Sequence, residues 1–402
     1  MALQPFFGGV AVLSDICSGV RCKMKVHHPA CGGSRLLWPD PGASLTMAAN
    51  DREGNGSVRI RTPRSSIREQ LRMSNDSRQP LRVGVVGASA RGFGLMEVLA
   101  RETGARVTGF ADPSTEALDR ARGRFGEAGI VYAESDAELY DRAECEAVII
   151  ASGDPWHVAN TEAALDHDKD IFLEKPISQT MDGLKTLVRL WRDSDRIVMV
   201  GLELRHCIVF REMRRLIDEG RIGRPLIGMG FDNVSVGGRY YYHDYRRTKS
   251  YTRSLVLQKG THTVDLVNWY MGARPTRVYC SSGLNVYGYG EPEEKRCSEC
   301  DRTDTCRHVV RGQNLVTDYG EVQKIQDRCV FARGAEVADN SLVLVDYANG
   351  SRAFYGECHF TPEYTREFTV IGDRGKMTGF YNNACEFEIK VRNADTPERT
   401  EL

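Results

Sequence analysis

From Leu81 onward, short β-branched apolar runs alternate with longer stretches whose apolar residues recur at helical spacing. Arg82-Val83-Gly84-Val85-Val86-Gly87 is the first run; Arg106–Ala111 is the second, closed by Asp112-Pro113. Residues 147–151, 170–174 and 197–202 are further strand candidates. Between them the spacing predicts helices over 92–101, 114–125, 157–167 and 181–193. Strands that alternate with helices imply βαβ units, a parallel sheet covered on both faces, and right-handed crossovers. Residues 81–203 are therefore expected to form an N-terminal α/β domain, a Rossmann-type doubly wound parallel sheet.

After about Glu203 the rhythm changes. Helices are predicted over 210–219, stopped by Gly220, and over Thr261–Met271, stopped by Gly272. A strand is predicted over 225–236, and residues 341–390 read as a meander. In it, 341–347 and 351–359 flank Asn349-Gly350, while 367–371 and 376–380 flank Gly372-Asp373-Arg374-Gly375. Asn-Gly between two alternating runs is a strong hairpin signal. Residues 204–402 are expected to be a C-terminal α+β domain with a large open, mainly antiparallel sheet. The chain shows no internal repeat and reaches Leu402 soon after a strand.

Residues 1–80 do not share these patterns. The first 72 hold ten Lys or Arg against five acids, with no sustained apolar period. They are expected to be a disordered extension, or a reading frame begun upstream of a true start at Met73. Their Arg- and Ser-rich last third also fits an organellar transit peptide, whereas the run from Phe6 to Leu13 lacks the basic flank of a secretory signal. A cytoplasmic location is expected. The full length of 402 residues allows two or three domains and excludes a single small module. With 54 basic and 55 acidic residues, no global basic excess points to nucleic acid or an anionic membrane. No apolar run is long enough for a membrane span. The twelve cysteines are too scattered for a disulfide scaffold.

Three motifs carry chemistry. Gly87-Ala88-Ser89-Ala90-Arg91-Gly92 follows the first strand and opens the first helix. It has the G-x-G-x-x-G form of a dinucleotide-binding turn, with Ser89 at the second glycine. A residue as small as serine still lets the backbone approach a pyrophosphate, and N–H groups at the helix start supply partial positive charge. Asp112 lies 20 residues beyond Gly92, at the end of the second strand. A carboxylate there accepts from ribose hydroxyls and repels a 2′-phosphate, which favours NAD over NADP. Glu174-Lys175-Pro176 sits at the C-terminal end of a predicted parallel strand, where ligands of open α/β sheets bind. A lysine there, desolvated and near a cationic nicotinamide, has its pKa lowered toward working pH. It can then take a hydroxyl proton as hydride leaves the carbon. In Lys259-Gly260-Thr261-His262-Thr263-Val264-Asp265, His262 and Asp265 share one helix face. The histidine binds a substrate hydroxyl or relays a proton, or else the two residues are structural.

These motifs, in this order, make the chain resemble the glucose–fructose oxidoreductase / inositol dehydrogenase (Gfo/Idh/MocA) family over roughly residues 81–390. The resemblance rests on residues 83–92, Ala151-Ser152-Gly153-Asp154-Pro155-Trp156-His157, residues 172–176, Gly220-Arg221-Ile222-Gly223 and residues 260–265. It implies an NAD(P)-dependent oxidoreductase that moves hydride between nicotinamide and a hydroxyl or ketone of a sugar, cyclitol or glycoside. It implies that Lys175 is the general acid/base and that His262 contacts the reacting hydroxyl. Gly87, Ser89, Ala90, Arg91, Gly92, Asp112, Ser152, Asp154, Trp156, His157, Glu174 and Lys175 are the implied cofactor residues. Arg205, Tyr245, Gln258 and Asp265 are candidates for the substrate side. Many members carry Asp four residues before the histidine, as D-x-G-x-H; here that position is Gln258, which cannot ionise. Their common Thr-Pro is Ser152-Gly153 here. Two other activities stay open: a glycosidase that retains NAD through oxidation, elimination and re-reduction, and a dinucleotide-binding sensor without turnover. By analogy of fold, the open sheet face implies a homodimer or homotetramer.

Two further clusters stand out. Cys297-x2-Cys300-x5-Cys306, with Cys329 later, lies in a cysteine-bearing insertion spanning 290–330. Four thiolates form a structural zinc site, with His308 a spare ligand, or remain reduced and unliganded. The run Arg239-Tyr240-Tyr241-Tyr242-His243-Asp244-Tyr245-Arg246-Arg247 is expected to wall a cleft for sugar rings rather than bind nucleic acid.

Overall fold

The computed structural model describes residues 79–235, 241–311, 314–316, 322–324, 326–382, 384, 386–395 and 399–401. The expected extension up to residue 78, and Arg239 and Tyr240 of the aromatic run, lie outside them.

The buried apolar runs pair in parallel. β1 (Arg82–Val86), β2 (Arg106–Ala111), β3 (Val131–Ala133), β4 (Ala147–Ile150), β5 (Asp170–Leu173) and β6 (Val198–Val200) form one six-stranded sheet. Its order is β3-β2-β1-β4-β5-β6, and every pairing is parallel. The connecting helices are α1 (Ala90–Thr103), α2 (Thr115–Phe125), α3 (Asp136–Arg142), α4 (His157–Asp166) and α5 (Met181–Arg192). Four of them begin at a hydroxyl residue: Ser89, Ser114, Ser135 and Thr180 each accept from a backbone N–H three residues on. That bond satisfies one of the N–H groups a helix start leaves unpaired. β3 and α3 were not expected. β3 is only three residues long, and α3 buries only Leu139 and Tyr140, so neither leaves a long apolar period.

The second sheet has eight strands in the order β16-β15-β14-β13-β7-β12-β11-β8. They are β7 (Pro225–Asn233), β8 (Pro275–Gly283), β11 (Asn340–Tyr347), β12 (Arg352–Cys358), β13 (Thr365–Gly372), β14 (Gly375–Asn382), β15 (Phe387–Asn393) and β16 (Arg399–Glu401). β9 (Asn314–Val316) and β10 (Val322–Lys324) form a separate two-stranded sheet. All neighbours in the large sheet are antiparallel except β7 and β12, which run parallel. One face is covered by α6 (Ile208–Asp218) and α7 (Thr261–Met271), whose Phe210, Met213, Leu266 and Tyr270 pack against Val343, Tyr355 and Phe368. The strands alternate accordingly: in β11, Val343 and Val345 are buried while Leu342 and Leu344 are exposed. The strand expected over 225–236 ends at Asn233. β8 was not expected, because all of its residues from Thr276 to Ser282 are exposed. An edge strand with no buried face has no alternation to read. Among the described residues, no helix is long and apolar enough to cross a membrane.

Candidate active site

The Gly-rich turn is fixed by backbone crowding. Gly87 has a φ of 93°, and a Cβ there would lie 2.5 Å from Ser152 N and 2.6 Å from the Ala151 carbonyl. A Cβ on Gly92 would lie 2.6 Å from Gly87 O. Only glycine fits either place, and the tight turn brings the start of α1 to the C-terminal ends of β1 and β4. Ser89 takes the second glycine's place as the N-cap. Its Oγ accepts from Gly92 N at 3.2 Å and donates to Ala151 O at 3.2 Å. Asp112 stands at the end of β2, where Oδ2 accepts from Ala88 N at 2.9 Å and Oδ1 from Ser114 N at 2.9 Å. These bonds pin a negative charge beside the turn and leave carboxylate lone pairs for a ribose.

At the end of β5, Glu174 is buried. Its Oε1 accepts from Arg91 Nε at 2.6 Å, and Oε2 accepts from Lys175 N at 3.2 Å. The Lys175–Pro176 peptide is cis. Lys175 Nζ donates to Gln258 O at 2.8 Å. Burial lowers the Lys175 pKa, against the pull of Asp154, Glu174 and Glu203. Asp154 lies in the turn after β4; burial raises its pKa against Lys175, and its Oδ2 is buried without a partner among the described residues. His262, on the first turn of α7, is buried, and its Nδ1 also lacks a described partner. Its Nε2 lies 3.5 Å from Glu203 Oε1. Burial, then Lys175, Arg366, Lys259 and Arg91, hold its pKa well below the usual histidine range.

Lys175, Asp154, Glu174, Glu203 and His262 thus meet where the ends of β4, β5 and β6 face the start of α7. A lysine with a lowered pKa stands beside buried, unpartnered polar atoms, an arrangement that can serve proton transfer. The Gly87–Gly92 cradle and the Asp112 carboxylate fit a dinucleotide. Sequence reasoning passed over Glu203, although an acid three residues after the last parallel strand was the available signal. It also passed over the network behind α7. There Arg366 pairs with Asp232 at 3.0 Å, and Tyr364 OH accepts from Arg366 Nε at 3.1 Å and from Lys259 Nζ at 3.3 Å.

Several expected ligand residues are committed elsewhere. His157 is buried, with Nδ1 2.6 Å from Pro176 O and Nε2 3.0 Å from Ser152 O. It ties two loops together rather than facing a cofactor. Ser152 Oγ donates to Asn160 Oδ1 at 2.7 Å. Trp156 is exposed. Arg205 makes a bidentate pair with Asp265, at 2.6 and 2.7 Å, and lies over the Trp269 ring. That pair occupies both Asp265 oxygens and two guanidinium nitrogens of Arg205. Gln258 reaches the site through its carbonyl, while its side-chain oxygen accepts from Tyr241 OH at 3.2 Å. Tyr245 is partly exposed and packs edge-on against Tyr251.

Cys297, Cys300, Cys306 and Cys329 line one cavity of about 270 Å³ with His308. Burial raises the thiol pKa of Cys297 and Cys329. Among the described residues, no three His, Cys, Asp or Glu side chains gather closely enough to hold a metal ion.

Two family models match the chain. One, described as an oxidoreductase family with an NAD-binding Rossmann fold, covers residues 81–202. The other, the GFO/IDH/MocA C-terminal domain, covers residues 210–378. Inositol 2-dehydrogenase of Burkholderia cenocepacia is 30% identical over 301 residues, spanning 73% of this chain and 72% of that protein. Apo scyllo-inositol dehydrogenase from Lactobacillus casei superposes with a TM-score of 0.55 at 18% identity, covering 75% of each chain. An Agrobacterium radiobacter oxidoreductase in complex with NAD+, L-tartaric acid and magnesium superposes with a TM-score of 0.58 at 18% identity, covering 81% of this chain and 79% of its own.

Proposed function

Because the chain belongs to the Gfo/Idh/MocA oxidoreductase family, with its NAD-binding Rossmann fold, we propose that it moves hydride between NAD and a hydroxyl or ketone carbon of a sugar or cyclitol. The observation that carries this reading is Lys175. It stands at the end of a parallel strand, tethered by the Gln258 carbonyl and desolvated enough to lower its pKa. When bound, the dinucleotide supplies the hydride acceptor, and this chain's residues handle the rest. Gly87, Ser89, Ala90 and Gly92 frame the pyrophosphate position at the start of α1. Asp112 takes the ribose hydroxyls and favours NAD over NADP by charge. Asp154 and Glu174 border the nicotinamide end.

Neutral Lys175 takes the proton of the reacting hydroxyl as the carbon loses hydride, and returns it from its ammonium form in the reverse direction. His262 holds the substrate through its unpartnered ring nitrogen. The outer face of the large sheet supports self-association. Tyr279, Leu344, Phe354, Met229 and Thr369 stand in register across β8, β11, β12, β7 and β13, and Tyr279, Leu344 and Met229 are exposed. A second copy covering this row makes a homodimer or homotetramer.

The test uses the full chain with NAD and a panel of inositols and aldoses, read by nicotinamide absorbance. Reduction with at least one polyol, lost in Lys175→Met, is expected. Bound dinucleotide with no reduction by any polyol would remove this reading in favour of a retained-cofactor glycosidase or a sensor.

A further inference from the structure

We propose that Glu203 is the positioning residue of His262: its carboxylate accepts the Nε2–H of the ring and leaves Nδ1 as a bare acceptor for a substrate hydroxyl. This inference rests on the dehydrogenase reading of the same site.

The acid that many relatives carry four residues before this histidine is absent. Gln258 stands there, with its carbonyl on Lys175 and its side-chain oxygen on Tyr241. The carboxylate arrives instead from the opposite domain. Glu203 opens the short turn after β6, Glu203–His206, and places Oε1 3.5 Å from His262 Nε2. The same oxygen lies 3.7 Å from Arg91 Nη2, while Arg91 Nε is held by Glu174 at 2.6 Å. Glu203 is therefore oriented by a neighbour that is itself fixed.

The other two polar atoms of the pair are enclosed. Glu203 Oε2 and His262 Nδ1 are both buried, and neither has a hydrogen-bond partner among the described residues. Orphaned buried polar atoms are costly unless a ligand completes them.

The surroundings select one form of the ring. Lys259 from the turn before α7, Arg366 from β13 and Arg91 from α1 are cations that disfavour an imidazolium, and Lys175, at the end of β5, adds to them in its ammonium form. A neutral ring carries one N–H. On Nε2 that hydrogen meets the Glu203 carboxylate. On Nδ1 it would leave the Nε2 lone pair facing carboxylate lone pairs. A partner at one ring nitrogen sets the tautomer at the other. Nδ1 then accepts from a second substrate hydroxyl, while Lys175 takes the proton of the reacting one. Burial and Glu174 raise the Glu203 pKa, against Arg91 and Lys175. As pH falls, protonation of Glu203 removes the acceptor at Nε2, and the hold on the substrate weakens.

The test uses the full chain with NAD, labelled with ¹⁵N-histidine, and His262 assigned by loss of its signals in His262→Asn. The ring shifts of the wild type should report the Nε2–H tautomer. Glu203→Leu, which offers Nε2 no acceptor, should shift His262 away from Nε2–H, and Glu203→Asp should keep Nε2–H. With a polyol that the enzyme oxidises, Glu203→Leu should lower kcat/KM by roughly tenfold to a hundredfold, the scale expected when a ring loses the group that orients it. An Nδ1–H tautomer in the wild type, or an unchanged tautomer in Glu203→Leu, would overturn the inference. The wild-type spectrum decides even where a variant fails to fold. The tautomer is read without turnover, so its failure is distinct from failure of the dehydrogenase reading, which full activity in Lys175→Met would overturn.

Discussion

Ser89 stands where the dinucleotide fingerprint has glycine, and its two bonds predict opposite behaviour for two small substitutions. Its Oγ accepts from Gly92 N at 3.2 Å as the N-cap of α1 and donates to Ala151 O at 3.2 Å. Ser89→Ala removes the cap acceptor and leaves a buried N–H at Gly92, which costs about 1 kcal/mol and at most ~2. Glycine is a tolerated N-cap, so Ser89→Gly costs only about a few tenths of a kcal/mol by the same scale. The alanine variant should therefore melt about 2 °C below the glycine variant, since 1 kcal/mol moves a large domain by that order. The assay is thermal unfolding of the full chain without nucleotide, with NAD affinity measured on the same samples. Ser89→Gly should bind NAD within about threefold of wild type, because backbone N–H groups and the helix start carry the pyrophosphate. If alanine and glycine variants melt together, or glycine is the worse of the two, Ser89 is not the cap of α1.

Other outcomes follow from the same geometry. Gly87→Ala places a Cβ 2.5 Å from Ser152 N at a φ of 93°, so it should lower the yield of folded protein or abolish NAD binding, read by calorimetry. Lys175→Arg should stay inactive at every pH, because a guanidinium does not release its proton. In the wild type, the oxidation rate should rise with pH through a lysine pKa set below its ordinary value, since only the neutral amine accepts the proton. Asp265→Asn breaks the bidentate contact with Arg205 and should lower stability by about 1–2 kcal/mol while leaving the KM for substrate nearly unchanged. Leu344→Glu, at the centre of the exposed apolar row, should convert an oligomer to monomers in sedimentation velocity.

The elements with a buried face were legible in the sequence. Thr261–Met271 appears with the expected bounds, and the Asn349-Gly350 turn joins β11 to β12 as its hairpin signal implies. β8 was hidden because its exposed residues carry no alternation, and β3 because three residues are too few to show a period. The parallel pairing of β7 with β12 was equally unreadable, since it joins segments more than 100 residues apart. At the site, the motifs located Lys175 and His262, because each follows directly from a local pattern. What the motifs could not show was pairing across the chain. Arg205 and Asp265 both looked like ligand residues, yet they satisfy each other. His157 looked like a cofactor residue, yet both ring nitrogens lie against backbone carbonyls. Glu203 meets His262 only because the turn after β6 and the first turn of α7 converge in space.

The central claim is direct hydride transfer from a polyol carbon, with Lys175 taking the proton. The measurement that tests it most directly follows a deuterium label from the carbinol carbon of a polyol that the full chain oxidises. Mass spectrometry of the released dinucleotide should show one deuterium per reduced NAD, and Lys175→Met should release none. Reduced dinucleotide without deuterium, or labelled dinucleotide at the wild-type rate from Lys175→Met, would contradict the account.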